Sequence, residues 1–296
     1  MNSSLLLGLH AHTWIHAGSG EKDGVVDLPI QREAHTGWPV IFGSSLKGAM
    51  RSQVSRTKGA QAELSLVTLF GPDSLHAGAT SDKIHAGALL VSDARLLWLP
   101  VRSLTSHTRY VTCPALLRRL LADLQRAGQP QSLAVPKVGE LEALIAGDQT
   151  GRIYLEEYAF TARAESTLTP WGALLARFCN LDAEQILNQL TLIHDDQFAH
   201  LCQAAIPVHP HIAIDYETKS VRDGALWYEE ALPPDTLFYS LLLLTDARDG
   251  SGLGAATLKN QAEQALLGDA PYLQVGGNES TGMGWLQLTP LQQEEA

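Results

Sequence analysis

The sequence is short of several features that define large classes of protein. Cysteine occurs only three times in 296 residues, without metal-ligand spacing, which favours free thiols in a reducing cytoplasm over a disulfide framework. No basic region precedes an apolar stretch near the first residue, so a secretory signal is not expected. The longest apolar run, near Leu237–Leu244, is too short to span a bilayer. These features predict a cytoplasmic protein with no membrane partner.

Charge is also scarce, and its overall sign is unfavourable for general RNA binding. Charged residues make up 18% of the chain and the net charge is −11, which excludes a promiscuous basic RNA coat protein. The charges are unevenly placed, however: acids gather in Asp182–Asp196 and Asp215–Glu230, and cations in Lys47–Lys58 and Arg95–Arg126. A two-faced protein with a local phosphate-binding surface is therefore compatible with the composition.

The apolar pattern mixes strands and helices without a regular βαβ repeat, which favours an α+β fold in one elaborated domain. Helices are expected at 45–57, 114–128, about 140–146, within 182–204 and at 255–267. Strands are expected at 5–14, 87–103, 152–160, 237–245 and 285–288. Val208–Pro234 is expected to form a strand–turn–strand unit that turns at Asp223-Gly224. The polar segment Gly71–His85 is expected to be a loop.

A phosphate-binding corner is predicted where the apolar run VIF meets the start of a helix. Gly43, Ser44 and Ser45 would place free backbone amides, two hydroxyls and the positive helix end at one point. Lys47 and Arg51, one turn apart on the same face, would hold a second phosphate, although a solvated helix face is the alternative. The glycine spacing is not that of a P-loop, so ATP hydrolysis is not expected.

Asp27, in the run VVDLPI, is the candidate catalytic acid and metal ligand. A carboxylate there can hold Mg²⁺ or Mn²⁺, or steer a ribose 2′-hydroxyl toward the neighbouring phosphate. The alternative is a local turn in which Asp27 satisfies backbone amides ahead of Pro29. His16, in a glycine turn, could neutralise a phosphate or shuttle a proton. Glu229 and Glu230 could assist, although a solvated acidic strand end is the commoner meaning.

The segment GGNESTGMG near the C-terminal end has four glycines and no cation. We assign Gly276, Gly277, Gly282 and Gly284 to close approach of an RNA backbone beside the Gly43 turn, because glycine tolerates positive φ and close contact. An ordinary tight turn would explain two of these glycines, and less easily all four.

Four segments, in matching order and almost end to end, resemble one family: GVVDLPIQREAHTGWPVIFGSSLKGAMR, VSDARLLWLPVRS, the Thr112-Cys113-Pro114 turn and GGNESTGMG. The chain resembles the RAMP superfamily and, within it, the backbone subunit of type III-B (Cmr) CRISPR effector complexes. The type III-A (Csm) backbone subunit shares the aspartate and Gly-Ser-Ser-Leu-Lys-Gly motifs. It tends to be shorter and lacks the second of these segments.

The resemblance implies a ferredoxin-like, RRM-related palm over 1–296, with inserted helical elements at 104–150 and a β-hairpin thumb at 208–234. Copies would stack head to tail along the crRNA, together with other Cmr subunits. Each thumb would displace one nucleotide pair between guide and single-stranded target RNA. Asp27 would then cut the target there with help from a divalent metal. Thumb aromatics, such as Tyr216, Trp227 and Tyr228, could stack bases.

Three other functions stay open at this stage. The chain could be a purely structural crRNA-binding subunit, in which Asp27 has no chemical role. It could be a standalone metal hydrolase using His10 and His12, which would share a strand face, although no third ligand is identifiable. It could also be a guide-processing RAMP endonuclease, which would lean on histidine chemistry without metal.

Overall fold

The computed structural model describes residues 3–56, 66–72, 85–147, 151–268 and 270–292. Lys58, in the predicted cation cluster, and most of the predicted 71–85 loop lie outside these ranges. Within them, no helix has both the length and the apolar character needed to cross a membrane.

Strands and helices alternate irregularly along the chain, as the sequence pattern predicts. The strands are β1 Ser3–Ala11, β2 Val40–Ile41, β3 Leu89–Val91, β4 Ala94–Ser103, β5 His107–Thr112, β6 Glu142–Ile145, β7 Gly151–Leu155, β8 Tyr158–Ala164, β9 Leu190–Ile193, β10 Val208–Ile214, β11 Val221–Glu230, β12 Leu237–Leu244, β13 Tyr272–Gln274 and β14 Trp285–Pro290. The main helices are α1 Gly43–Arg56, α2 Pro114–Arg126, α3 Leu168–Ala176, α4 Ala183–Gln189, α5 Asp195–Ala204 and α6 Ala255–Leu267.

One large sheet organises the described part of the chain. Its strand order is β13-β14-β1-β12-β4-β5-β9-β6-β8-β7, with β2 added to β4 and β3 added to β12. Most neighbours are antiparallel, while β5 with β9 and β6 with β8 are parallel. The first strand pairs with β12 along nearly its whole length, from Ser3 opposite Leu244 to His10 opposite Leu237. This mixed sheet with helices is the α+β architecture expected from the sequence.

Hydrophobic cores lie on both faces of the sheet. Leu5, Leu7 and Leu9 of β1 face a core shared with α1 and α6, whereas Leu6 faces a core shared with α2 and α3. A Cβ added to Gly8 would lie 1.9 Å from the carbonyl oxygen of Phe178. The chain after α3 therefore packs directly on the β1 backbone, which only glycine permits.

The predicted thumb is an antiparallel pair, β10 and β11, that forms a sheet of its own. Its turn is held by Asp215, whose amide donates to the Ser220 carbonyl (2.8 Å) and whose carboxylate accepts from the Glu217 and Thr218 amides (2.9 and 3.0 Å). Large apolar side chains on this hairpin are exposed: Val208, Ile212, Ile214, Tyr216, Val221, Leu226 and Tyr228. The hairpin therefore presents an apolar surface that the rest of the described chain leaves uncovered.

The prediction that this hairpin turns at Asp223-Gly224 is wrong. Those residues lie inside β11, where the pairing with β10 jumps from Leu226 to Val221. Gly224 has φ +72°. Glycine with positive φ occurs in β-bulges as well as in hairpin turns. The Asp223-Gly224 dipeptide therefore belongs to a bulge in this hairpin and not to its turn.

Two further elements differ from the sequence prediction. The helix expected near 140–146 is the strand β6, because Ala143, Leu144 and Ile145 are buried between β8 and β9. The single strand expected at 152–160 is the hairpin β7–β8, which turns at Glu156 (φ +51°). The range 104–150, interpreted as a helical insertion, contains α2 flanked by two strands of the main sheet.

Candidate functional site

Asp27 lies at the base of the thumb and is partly exposed. Its segment runs beside the end of β11: the Leu28 amide donates to the Tyr228 carbonyl (3.1 Å), and the Glu230 amide donates to the Leu28 carbonyl (3.0 Å). The Asp27 carboxylate accepts a hydrogen bond from the Tyr228 amide (2.8 Å). The acid therefore binds a distant strand rather than a local turn.

An open depression lies beside this carboxylate. Its lining comprises Glu21, Lys22, Asp23, Asp27, Leu28 and Trp227. Trp227 is stacked on His211 of the neighbouring strand, with ring centroids 5.4 Å apart and planes 12° from parallel. Within the described residues, one oxygen of Asp27 has no hydrogen-bond partner. A ligand in the depression would therefore meet a free carboxylate oxygen and an ordered aromatic ring.

His16 is buried behind Asp27's segment rather than exposed in a turn. Its Nδ1 lies 2.7 Å from the Glu230 carbonyl oxygen, and because a carbonyl oxygen can only accept, Nδ1 is the donor of this hydrogen bond. The same Nδ1 is 3.5 Å from a carboxylate oxygen of Glu229. A Cβ added to Gly18 would lie 2.7 Å from Nε2. These contacts fix the ring's orientation beside β11.

Glu229 and Glu230 are both buried, so they do not form a solvated acidic strand end. The Glu229 carboxylate accepts from the side-chain amide of Asn278 in the glycine-rich loop. Glu230 pairs with Arg32 and also accepts from the Ile30 amide (3.1 Å). The end of the thumb is thereby tied both to the glycine-rich loop and to the segment that carries Asp27.

Gln31 connects these elements to helix α1, and sequence reasoning missed it. Its side-chain oxygen Oε1 accepts from the Phe42 amide (2.7 Å), while its side-chain nitrogen Nε2 donates to the Gly18 carbonyl and the Ser45 hydroxyl (both 3.0 Å). The side chain is buried. A glutamine between an isoleucine and an arginine carries no strong local signal, so its role appears only when its three partners are brought together.

The start of α1 is not the fully free anion site that the sequence predicts. The Gly43 amide donates to the Asp93 carboxylate (2.7 Å), so a protein acid already occupies one of the expected donors. A Cβ at Gly43 would lie 2.7 Å from the Val91 carbonyl oxygen, which explains the glycine by packing. Ser44 remains exposed.

Lys47 and Arg51 are anchored rather than freely solvated. The Lys47 ammonium donates to the Leu89 carbonyl and the Arg51 guanidinium donates to the Gly71 carbonyl (both 2.7 Å). Partial burial lowers the pKa of Lys47, and the nearby charges of Arg51 and Arg248 lower it further. Each cation keeps further donors for a ligand.

The glycine-rich loop packs against the His16 segment. The Gly277 amide donates to the His16 carbonyl (2.9 Å), and a Cβ on Gly276 would lie 2.1 Å from that oxygen. Gly284 is similarly constrained by the Val275 carbonyl, whereas Gly282 faces open space. Two of the four glycines thus have packing reasons.

The loop and helix α1 nevertheless border a common groove, which Ser45 and Gly276 both line. The predicted approach of RNA to the glycines beside the Gly43 turn therefore stays a prediction, with this groove as its place.

His10 and His12 lie near each other, with ring centroids 5.2 Å apart. Burial, then the proximity of His12, lowers the pKa of His10 to about 4. His10 Nε2 lies 3.6 Å from the Asp235 carboxylate. Across the described ranges, no cluster of three His, Cys, Asp or Glu side chains has a geometry that could hold a metal ion.

The residues around Asp27 fit only a metal ion that RNA helps to hold. Mg²⁺ is often bound by one or two carboxylates together with substrate phosphates. Asp27 supplies a free carboxylate oxygen, and Glu21 and Asp23 line the same depression. The donor set therefore suits a metal shared with a nucleic-acid phosphate, not a centre built from protein alone.

Comparison with known proteins places this geometry in a family. The family model described as "RAMP superfamily" matches residues 9–287. The CRISPR system Cmr endoribonuclease Cmr4 of Pyrococcus furiosus is 38% identical over 295 residues, covering 96% of this chain and 94% of that protein.

Two solved structures are also similar. Crystals of oligomeric Cmr4 from Pyrococcus furiosus contain a chain with a TM-score of 0.72 at 30% identity, with 97% of each chain covered. A type III-B Cmr-beta complex bound to cognate target RNA contains one with a TM-score of 0.75 at 22% identity, again with 97% of each chain covered. The second likeness shows the fold alone, and it agrees with the RAMP palm expected from the sequence. On the extent of the family match and the identity to its relative, this chain belongs to the RAMP superfamily.

Proposed function

We propose that the chain is the crRNA-binding backbone subunit of a type III-B CRISPR effector complex and that it cuts complementary single-stranded target RNA at regular intervals. The 38% sequence identity to a Cmr endoribonuclease, over an alignment that covers 96% of the chain, supports the type III-B assignment over type III-A. The oligomeric crystal form of a relative supports stacking of copies. In this proposal the copies are arranged head to tail, bind crRNA and contact other Cmr subunits.

The observation that carries the cleavage proposal is the position of Asp27. Its carboxylate is partly exposed, keeps one oxygen free and lies at the base of an apolar hairpin. If the hairpin separates a nucleotide pair, the distorted strand passes this acid. A backbone distorted there approaches the in-line arrangement of 2′-oxygen, phosphorus and leaving oxygen, so that positioning supplies much of the rate.

Asp27 would act on the ribose of the displaced nucleotide. The free carboxylate oxygen of Asp27 accepts the proton of the 2′-hydroxyl. The 2′-oxygen then attacks the adjacent phosphorus, and the bond from phosphorus to the 5′-oxygen breaks. The departing oxygen takes its proton from solvent. Alternatively, Asp27 would hold a divalent cation, Mg²⁺ or Mn²⁺, together with the RNA phosphate; the cation would neutralise charge on that phosphate, and solvent would take the proton of the 2′-hydroxyl. His16 is buried and bound to the Glu230 carbonyl, so its role is to position β11 rather than to transfer protons.

The test is cleavage of a labelled target by the reconstituted complex with its crRNA. We expect evenly spaced products from the wild type and at least a ~100-fold loss of cutting rate with Asp27→Asn, because general acid–base groups contribute about 10²–10⁴-fold. The matched control is Asp196→Asn on α5, which removes a charge from a side chain that is 84% exposed and lies outside the depression. Equal cutting by Asp27→Asn and wild type would favour the purely structural subunit.

A further inference from the structure

A second cleft lies on the other side of α1 from the glycine-rich loop. Lys47 and Arg248 contribute cationic side chains to its lining, together with His85. Among the described residues that line it, none is acidic. The net charge of the chain is −11, so a cleft whose described lining holds cations and no acid differs in sign from the chain as a whole. Such a cleft attracts anions.

Arg248 lies on the connection between β12 and α6 and is exposed. Within the described residues it makes no hydrogen bond or ion pair, although its charge acts on Lys47. The neighbouring acid, Asp249, is engaged elsewhere: it accepts from the Thr68 hydroxyl and the Ser251 amide. All five guanidinium donors of Arg248 are therefore available to a ligand from outside the described chain.

Lys47 supplies the fixed half of the cleft. One of its three ammonium hydrogens is used on the Leu89 carbonyl, which holds the side chain in place and leaves two donors. A hydrogen-bonded ammonium beside an exposed, planar guanidinium suits a tetrahedral anion with several acceptor oxygens, because the guanidinium can bind two of them at once.

We propose that Arg248 and Lys47 form a phosphodiester-binding subsite for one phosphate of the RNA strand that runs along α1. This inference rests on the proposed RNA-binding function and adds to it a residue from a different part of the chain. The anion bridges a helix near the N-terminal end and a loop about 200 residues later, so RNA binding would also hold the β12–α6 connection against α1.

The experiment measures binding of the full-length chain to a fluorescein-labelled single-stranded oligouridine across a salt series. For Arg248→Gln we expect about tenfold weaker binding at low salt, and a slope of log K against log[salt] that is shallower by about 0.7, the value for one lost phosphate contact on a single strand. The matched control is Arg152→Gln, an exposed arginine on β7 at the opposite end of the sheet. It should bind like wild type.

A double-mutant cycle tests whether the two cations share one phosphate. If they do, Lys47→Gln combined with Arg248→Gln loses less affinity than the product of the single losses. Thermal unfolding of each variant checks that the folded state persists. Arg248→Lys should recover part of the slope, because the charge returns without the paired donors.

The outcomes separate this inference from the proposed function. If wild type binds RNA and Arg248→Gln matches Arg152→Gln in affinity and slope, the subsite is wrong while RNA binding stands. If inorganic phosphate binds at matched ionic strength and Arg248→Gln abolishes that binding without changing the RNA slope, the cleft takes free phosphate, which also overturns the inference. If wild type does not bind RNA alone or in the complex, the proposed function itself fails.

Discussion

The carboxylate of Asp27 accepts a hydrogen bond from the backbone amide of Tyr228, a residue 201 positions later in the chain. This bond joins the candidate catalytic acid to the strand that forms one side of the thumb. The placement of the acid and the placement of the hairpin are therefore coupled. In the proposed function, a strand displaced by the thumb would therefore meet Asp27 at a defined position.

This coupling predicts different structural effects for two inactive variants. Asp27→Asn keeps an oxygen that can accept from the Tyr228 amide, whereas Asp27→Ala loses it. We expect both to stop RNA cutting, but only Asp27→Ala to speed hydrogen exchange at the Tyr228 amide, by losing a bond worth about 0.5–1.5 kcal/mol. Exchange measured by mass spectrometry on peptides containing Tyr228 checks this. Equal exchange in both variants would show that the bond does not hold the hairpin.

Two glycines with nearly the same backbone conformation should differ sharply when replaced by alanine. Gly276 has φ +89° and an added Cβ would lie 2.1 Å from the His16 carbonyl, while Gly282 has φ +86° and open space. We expect alanine at either position to lower the free energy of unfolding by about 1–2 kcal/mol, because alanine is strained in the left-handed region. Gly276→Ala should lower it by about 1–3 kcal/mol more, because its Cβ overpacks against the His16 carbonyl. Chemical denaturation measures the difference. Equal losses would mean that the loop shifts away from His16 without cost.

The Arg32–Glu230 pair should matter more than an exposed pair of the same type. The Glu230 side chain is 8% exposed and that of Arg32 is 23% exposed. Glu230→Gln leaves Arg32 without its counter-charge, so we expect a loss of about 2–4 kcal/mol in the free energy of unfolding. The control is Glu279→Gln: its side chain is 49% exposed and that of its partner Arg56 is 62% exposed, so we expect a loss below about 1 kcal/mol. A smaller loss for Glu230→Gln than for the control would contradict the structural role of this pair.

Buried His10 should make the protein less stable in mild acid. Its pKa is lowered from 6.5 to about 4 by burial and by His12, so between these values the unfolded state binds a proton that the folded state does not. The free energy of unfolding should therefore fall as pH drops from about 6.5 toward 4, by at most ~3 kcal/mol from this group. Above pH ~7 it contributes no slope.

The measurement is denaturant unfolding of wild type and His10→Gln from about pH 5 to 8. Lower pH is avoided because the pKa of Asp235 is raised in the folded state, so protonation of Asp235 increases the free energy of unfolding as pH falls. We expect His10→Gln to show a flatter profile. His35→Gln, at a side chain 71% exposed, should keep the wild-type slope. If His10→Gln and wild type have the same slope, another group causes it.

Local patterns in the sequence were sufficient for most individual elements. The helix predicted at 255–267 has those bounds in the structure, and the strand predicted at 237–245 is β12, Leu237–Leu244. Periodicity reports burial on one face over ten or more residues, and a long apolar run reports a buried strand. The apolar run near 140–146 is short, and its pattern does not distinguish a helix from a strand. Pairing with β8 and β9 makes this segment the strand β6.

The sequence by itself determined that this is an α+β chain of the RAMP type, that Asp27 is the acid to examine, and that 208–234 is a hairpin. Tertiary structure alone decided what those residues touch. It brought Glu229 and Glu230 to His16 and Arg32, placed Asp93 on the Gly43 amide, and set Arg248 beside Lys47. Such contacts depend on strand register and packing between segments far apart in the chain, and no local pattern encodes them.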